Sequence, residues 1–371
     1  MRLDEEHEHE ILSRRHEEAR TELAEGHGAL NWVLVQRSDP EGQIYAGCDT
    51  YRIEALIKRK SKESIEDTFC YGITSVYTPV QHRKGYGRHL LRVLHYILAR
   101  PRLPAFPLEW GDPPALAPKQ RELVPWASFS FVCSDIGSEY YSKCTIGDSS
   151  EGFAVNPLEQ NELHWKILPP EDEEGSFCRH GPGDDHREDD WLVLYDKDLP
   201  RIKSILREGQ KRNLENRDTV DHSVFALDPE AGGVCDFVAQ GGETGVREPW
   251  PILDKVEPRG VQRGDTVVMF ARYDYQVPKD TLIISFVQKL TSDDLPSLLR
   301  VLDRLGTEVG LRNGWIWGLD PTSELVRSWE ALPGRNTKVG LRQGNDAHLY
   351  GIARYEDQGG ILVDQQMWIW L

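Results

Sequence analysis

The chain has 371 residues, about two domains by length. Apolar residues make up 39% and charged residues 28%, which excludes wholesale disorder, and no apolar run approaches the ~20 residues of a membrane-spanning helix. Lys and Arg number 44 against 61 Asp and Glu, a net charge of −17 that argues against general nucleic-acid binding.

The first residues, MRLDEEHEHEILSRRHEEAR, are too acidic for a transit peptide and lack the apolar core of a secretory signal. Residues 2–25 read as a polar helix stopped by Gly26 and Gly28. His7 and His9, among glutamates, fit a solvated helix better than a metal site, so no metal is expected. The six cysteines are scattered without a C-x-x-C pair, which suits a reducing cytoplasm.

Residues 31–36 and 43–59, separated by Ser38-Asp39-Pro40-Glu41-Gly42, predict a hairpin. Residues 69–78 (FCYGITSVYT) predict a third strand. From 84 to 100 the period becomes helical, with Leu90, Leu91, Leu94, Ile97 and Leu98 on one face. A Pro-rich loop is expected to about residue 125, then a strand at 128–133 and a short helix at 138–144. Residues 169–190, acidic and nearly free of aliphatics, read as an exposed linker. Beyond it come a strand at 191–195, a helix at 198–212, strands at 265–273 and 281–290, a helix at 293–309, and strands at 314–319, 347–355 and 366–371. The expected class is mixed α/β (α+β), with lobes at 1–168 and 191–371 joined by the linker. Trp315, Trp317, Trp368 and Trp370 are expected to pack in the core or between the lobes.

The most informative stretch is ITSVYTPVQHRKGYGRHLLRVLHYIL, residues 73–98. A strand runs through a basic, glycine-containing loop into an amphipathic helix. This order puts unpaired amides and the positive end of the helix dipole together, where an anion binds. Gly85 and Gly87 let a phosphate approach the main chain. No acidic residue lies between Asp67 and Glu109, where the chain average would place about seven, while Arg83, Lys84, Arg88, Arg92, Arg100 and Arg102 do, with His82, His89 and His95. A Walker loop is absent. The dinucleotide fingerprint fails at its third glycine, where Leu90 stands.

These residues resemble the pyrophosphate loop of the GNAT acetyltransferase superfamily, a strand followed by [QR]-x-x-G-x-[GA] and a helix. Its glycines fall on Gly85 and Gly87, and its Gln/Arg slot falls on His82 beside Arg83. FSFVCSDIGSEYYSKCTI, residues 129–146, resembles the superfamily's next strand and helix, with Thr145-Ile146 in place of the usual Gly-aromatic. More narrowly, NWVLVQRSDPEGQIYAGCDTYRIEALI, SVYTP, CSDIGSEYY and the terminal QQMWIWL resemble fungal lysine N6-acetyltransferases of the Lyc type. The chain opens inside what resembles that family's first helix. The resemblance implies a GNAT acyl-CoA N-acyltransferase fold at 1–168 and a second, GNAT-like mixed α/β domain covering the acceptor side. It also implies direct acetyl transfer from acetyl-CoA to a small amine, free lysine first. Other amines of fungal secondary metabolism, or a catalytically weak acyl-CoA-binding protein, are the alternatives.

Transfer from a thioester to an amine requires a held carrier, a polarised carbonyl, a neutral amine and a protonated leaving thiolate. Backbone amides of Lys84, Gly85, Tyr86, Gly87 and Arg88, beside His82 and Arg83, would hold the diphosphate. Amides of Ser75, Val76 and Tyr77 would bond the thioester oxygen, with Ser134 on the neighbouring strand. By the resemblance, Tyr141 protonates the thiolate. Glu54 and Asp135 are the candidate bases for an amine that is almost wholly ammonium at neutral pH. No nucleic acid, membrane or metal partner is expected, and the sequence leaves the oligomeric state open.

Overall fold

The computed structural model describes residues 28–99, 101, 103–155, 160–169, 187–188, 190–230, 258–271, 280–356 and 359–367. The expected helix at 2–25, most of the acidic stretch at 169–190, Trp368 and Trp370 lie outside them. The predicted hairpin forms from β1 (Ala29–Leu34) and β2 (Ala46–Lys58). Strand β3 (Ile65–Tyr77) leads through a short 3-10 turn into helix α1 (Tyr86–Leu98). The Pro-rich loop holds two elements that its composition did not announce, a 3-10 turn (Leu108–Trp110) and helix α2 (Pro118–Leu123). Pro118 opens it, and the Gln120 side chain accepts from the Ala117 amide at 2.9 Å. Then come β4 (Phe129–Ile136), a one-turn helix α3 (Glu139–Ser142), β5 (Ala154–Val155) and β6 (Asn161–Lys166).

The remainder comprises β7 (Arg187–Glu188), β8 (Trp191–Leu194), α4 (Leu199–Glu215), β9 (Val224–Leu227), β10 (Gly260–Arg263), β11 (Thr266–Ala271) and β12 (Thr281–Gln288). Helix α5 (Leu295–Glu308), β13 (Asn313–Trp317), α6 (Glu324–Glu330), β14 (Lys338–Leu341), β15 (Asn345–Arg354) and β16 (Ile361–Leu362) complete it.

The strands form two mixed sheets. The first runs β16-β9-β2-β3-β4-β15-β5, with β1 also on β2; the second runs β14-β6-β13-β12-β11-β10-β8-β7. Their pairing crosses the sequence division at 168/191. Strand β6 enters the second sheet against β13, while β9, β15 and β16 enter the first.

Both sheets follow one plan. Three antiparallel strands lead into a helix and then a strand parallel to the last of the three: β1-β2-β3-α1-β4 in the first sheet, β10-β11-β12-α5-β13 in the second. In each, a strand from the other half of the chain continues the sheet antiparallel, β15 on β4 and β6 on β13.

Helical spacing decides the layers. Leu90, Leu91, Leu94 and Leu98 of α1 bury against Tyr71, Ile73 and Val132 on one face of the first sheet. On the other face Ile53, Phe129, Phe131 and Ile352 meet α4 through Ile202 and Leu206, and the second sheet through Val267, Met269 and Phe286. The far face of the second sheet carries Leu298, Leu302, Val326 and Trp329 of α5 and α6. The two sheets therefore share a buried layer.

His95, read from sequence as part of a cationic surface, is instead wholly buried in α1. Nε2–H donates to the Cys144 carbonyl at 3.0 Å, leaving Nδ1 to accept from the Tyr355 hydroxyl at 2.9 Å; Tyr355 oxygen and Ser130 Oγ lie 2.7 Å apart. Burial, with a smaller push from Arg92, lowers its pKa from 6.5 to about 4. A folded pKa below the unfolded one means that the unfolded chain binds the extra proton first as the solution is acidified. Stability from neutral His95 is therefore complete above pH 6.5 and declines towards pH 4, by about 3 kcal/mol in all. His95→Gln should lower the urea midpoint at pH 7, and its deficit should shrink by pH 4.5. A deficit constant with pH would contradict the neutral assignment.

Candidate functional site

Strands β3 and β4 pair in parallel only from Cys70–Ile73 against Phe129–Val132. Beyond these residues β3 stays with β2 and β4 stays with β15. The parting coincides with a bulge. Thr74 faces Asp49 and Tyr77 faces Gly47, so β3 carries one extra residue there, and Ser75 has a φ of 51°. The two adjacent parallel strands thus part at their carboxyl ends and leave a gap in the pairing there, where open α/β sheets place ligands.

The N-terminus of α1 lies beside this gap. Gly85 caps it in the left-handed region at φ 102°, and a Cβ there would meet nothing within 4 Å. No side chain caps the helix, and its first turn holds no acidic residue. The first backbone bond of the turn runs from His89 to the Gly85 carbonyl, so the amides of Tyr86, Gly87 and Arg88 have no acceptor within the helix. Gly87 is buried; a Cβ there would lie 2.7 Å from Thr78 Oγ1 and 2.8 Å from the Tyr140 hydroxyl. The helix terminus, the end of β3 and α3 thus meet at a glycine. Arg83, Lys84 and Arg88 are exposed around it. The His82 ring packs on Tyr45 at 4.8 Å, and its Nε2 is buried without a hydrogen-bond partner.

The cationic island is smaller than its sequence suggests. Arg92 turns away to the Gly147 carbonyl and Asp148, with its guanidinium 4.4 Å from the Trp110 ring centroid. His89 packs edge-on against Trp110, and burial followed by the Arg92 charge lowers its pKa. These residues brace the Pro-rich loop. Arg100 and Arg102 fall outside the described residues.

Of the other residues singled out by sequence, the structure brings some together and separates others. Ser75, Val76 and Tyr77 form the β3 side of the gap. Asp135, half-exposed, stands on the β4 side. Tyr141 is buried against Phe153; burial above all, with Tyr140, Cys144, Asp135 and Cys133 adding, raises its pKa, so it stays protonated. Tyr140, not Tyr141, reaches Gly87. Ser134 is fully buried and gives its hydroxyl to the Gly137 carbonyl, closing the turn after β4. It is spent on structure. Glu54 pairs with Phe69, six residues before Ser75 on β3, which is about 20 Å of strand from the gap. That register removes it as a base.

The fold adds beside Asp135 a residue that no motif in the sequence singles out. His348, on β15, contacts Asp135 Oδ1 through Nδ1. It sits where the β15–β4 register shifts, between Asn345↔Ile136 and Leu349↔Ser134, and has a φ of 46°. No local pattern marks it.

The second sheet provides an internal comparison. Strand β12 also carries an extra residue, Ser285, between Met269↔Phe286 and Phe270↔Ile284. There the space beyond is occupied by the chain itself. Gln366 bonds both backbone groups of Val287, at 2.7 and 3.1 Å, and Gln365 runs against Gly318 at the end of β13. Helix α5 begins with Asp294, paired with Arg263, and a proline in its first turn. Neither glycine nor free positive charge marks that end.

No family model matches the chain, and no curated protein matches it by sequence. Solved structures similar to it include a GCN5-related N-acetyltransferase from Kribbella flavida, at 8% identity and a TM-score of 0.37 over 85% of this chain and 58% of that one. Eis1 from Mycobacterium abscessus is similar at 10% identity and a TM-score of 0.40, over 96% and 73%. Saccharomyces cerevisiae N-myristoyltransferase is similar at 8% and 0.37, over 87% and 67%. The chain spans less than two thirds of the Kribbella protein. At these values the likeness carries no argument about activity, which rests on the geometry of this chain.

Inorganic pyrophosphate titrated by calorimetry should bind once per chain. Gly87→Ala should weaken it about tenfold through the displaced Thr78 and Tyr140, and Asp294→Asn should leave it unchanged. A second equal site, or indifference to Gly87→Ala, would contradict the asymmetry between the two helix termini.

Proposed function

We propose that the chain is an acetyl-CoA-dependent N-acetyltransferase that acts by direct transfer on a small amine, foremost the N6 amine of free L-lysine. One observation carries this reading. Two parallel strands part over a bulge immediately beside an uncapped, glycine-led helix terminus ringed by Arg83, Lys84 and Arg88. A diphosphate joined to a slender thiol-ended arm matches that arrangement: an anion for the helix, an extended chain for the gap. The orphaned His82 Nε2 and the close packing at Gly87 fit the same occupant, one as an unused polar atom and the other as a cradle that any side chain would fill.

Acetyl-CoA supplies the activated acyl group as a thioester. The amides of Tyr86, Gly87 and Arg88 hold its diphosphate, and the surrounding cations add attraction that salt screens. Freed from β4 by the parting, the backbone at Ser75–Tyr77 offers amides to the thioester oxygen as charge gathers there, worth about 3 kcal/mol per donor. Tyr141, kept protonated by burial, gives its proton to the leaving thiolate. Tyr140 braces the diphosphate loop through Gly87. The preference for lysine rests on the resemblance to the Lyc-type enzymes. The free thiols of Cys48, Cys70 and Cys144 suit a cytoplasmic setting.

Incubation with acetyl-CoA and a panel of free amino acids and small amines, with thiol release as readout, tests the activity. Release that depends on lysine supports the reading. Acetyl-CoA binding without release to any amine would leave a binding protein and contradict it. Tyr141→Phe should lower kcat about tenfold to a hundredfold while acetyl-CoA binding holds, and Tyr140→Phe should mainly weaken binding. Equal loss of both in Tyr141→Phe would remove its acid role.

A further inference from the structure

The acceptor amine must lose a proton before it can attack, and the sequence left Asp135 and Glu54 as bases. The register excludes Glu54 and sets His348 against Asp135. The two differ in exposure. The Asp135 side chain is 51% exposed on the end of β4 that has parted from β3, whereas that of His348 is 4% exposed behind it. Phe129 and Phe131 of β4 face the layer between the sheets, and alternation puts Asp135 on that same face, opposite α1. The carboxylate therefore looks into the gap from the side away from the diphosphate cradle.

The position of His348 is built. Arg342, in the turn between β14 and β15, is 4% exposed. Its Nη1 donates to the carbonyls of Ala347 and His348 at 3.0 and 2.9 Å, and its Nη2 donates to Gln160 Oε1 at 2.7 Å. The guanidinium lies 3.9 Å from the Trp317 ring centroid. This clamp holds the shifted end of β15 and the positive φ of His348, a conformation that costs a non-glycine residue free energy and gathers at functional sites. Around the pair, Tyr141 of α3 feels the charges of Asp135 and Cys133, and Arg342 feels those of Tyr350 from β15, Cys133 from β4 and Glu162 from β6.

We propose that Asp135 and His348 act as one proton-accepting couple for the acceptor amine, Asp135 touching the ammonium and His348 positioned behind it to take the charge. The inference rests on the acetyltransferase reading above. The ammonium passes one proton through the Asp135 carboxylate to the His348 imidazole. The freed nitrogen then forms the C–N bond to the thioester carbon. As the C–S bond breaks, the sulfur leaves with the electron pair and takes a proton from Tyr141, and the second proton shed by the nitrogen passes through water to reprotonate Tyr141. The couple returns its proton to water. One ammonium and one thioester give one amide, one thiol and one proton. The couple also fixes the charge of the acceptor: a carboxylate at the gap draws a cationic amine and repels an acidic one.

The test is the pH profile of kcat between pH 6.5 and 9.5 with saturating lysine and acetyl-CoA, beside calorimetry with acetyl-CoA. His348→Asn should lower kcat about a hundredfold at pH 7. The loss should shrink at least about tenfold by pH 9.5, where more of the amine is already neutral, and acetyl-CoA binding should hold within about twofold. A kcat within about threefold of the parent, a deficit flat across pH, or a matching loss of acetyl-CoA binding would overturn the inference. If thermal melting shows that His348→Asn does not fold, Asp135→Asn, on the half-exposed partner, should show the same pH-dependent deficit. Transfer by the parent with a flat deficit in the variants sinks the couple alone. No transfer by the parent to any amine sinks the acetyltransferase reading with it.

Discussion

Parallel neighbours in a sheet satisfy one another's backbone groups along their length, and separating them leaves donors and acceptors that something else must meet. Strands β3 and β4 are held together at Cys70–Ile73 and Phe129–Val132 and then forced apart. The force is local: one extra residue at Ser75 against β2 turns the strand out of register with β4 while the hairpin partner keeps hold of it. Every feature assigned to the site follows from this parting. It frees backbone at Ser75–Tyr77, opens a slot beside the α1 terminus, and exposes the end of β4 on which Asp135 stands.

The second sheet shows what happens when the same plan is closed. It repeats the meander, the crossover helix and a bulge at Ser285, but Gln366 supplies a side-chain amide that satisfies Val287 in both directions. Asp294 and its neighbouring proline occupy the helix end that would otherwise attract an anion. One half of the molecule thus has no such plug in its gap among the described residues, and the other fills its gap with its own chain. The exchange of β6 and β15 between the sheets, with the buried layer under α4, ties the halves together. It also brings Arg342 and His348, from the far end of the sequence, to the first sheet's gap.

Much of this was legible in the residues. Hydrophobic period placed α1, α4 and α5 within a few positions, and alternation found the hairpin and the long strands. The glycine pair and the absence of acidic residues between Asp67 and Glu109 marked the helix terminus. What stayed hidden depends on register and on contacts distant in sequence. Glu54 looks like a cleft residue until its pairing with Phe69 puts it at the wrong end of β3. Arg92 and His95 share the basic stretch with Arg83 and Lys84, yet face the loop and the core because helical spacing rotates them away. The strand exchange cannot be read from local pattern, since β6 satisfies alternation in either sheet. His348 has no neighbour in sequence that marks it; only the pairing of β15 with β4 gives it Asp135.

The most direct measurement of the account is a crystal structure of the chain grown with CoA. The account predicts one CoA per chain, its diphosphate on the amides of Tyr86–Arg88 and its pantetheine arm between β3 and β4, with the thiol ending near Tyr141 and Asp135. Density for the diphosphate at the start of α5, or a β3–β4 gap left vacant beside CoA bound elsewhere, would contradict it.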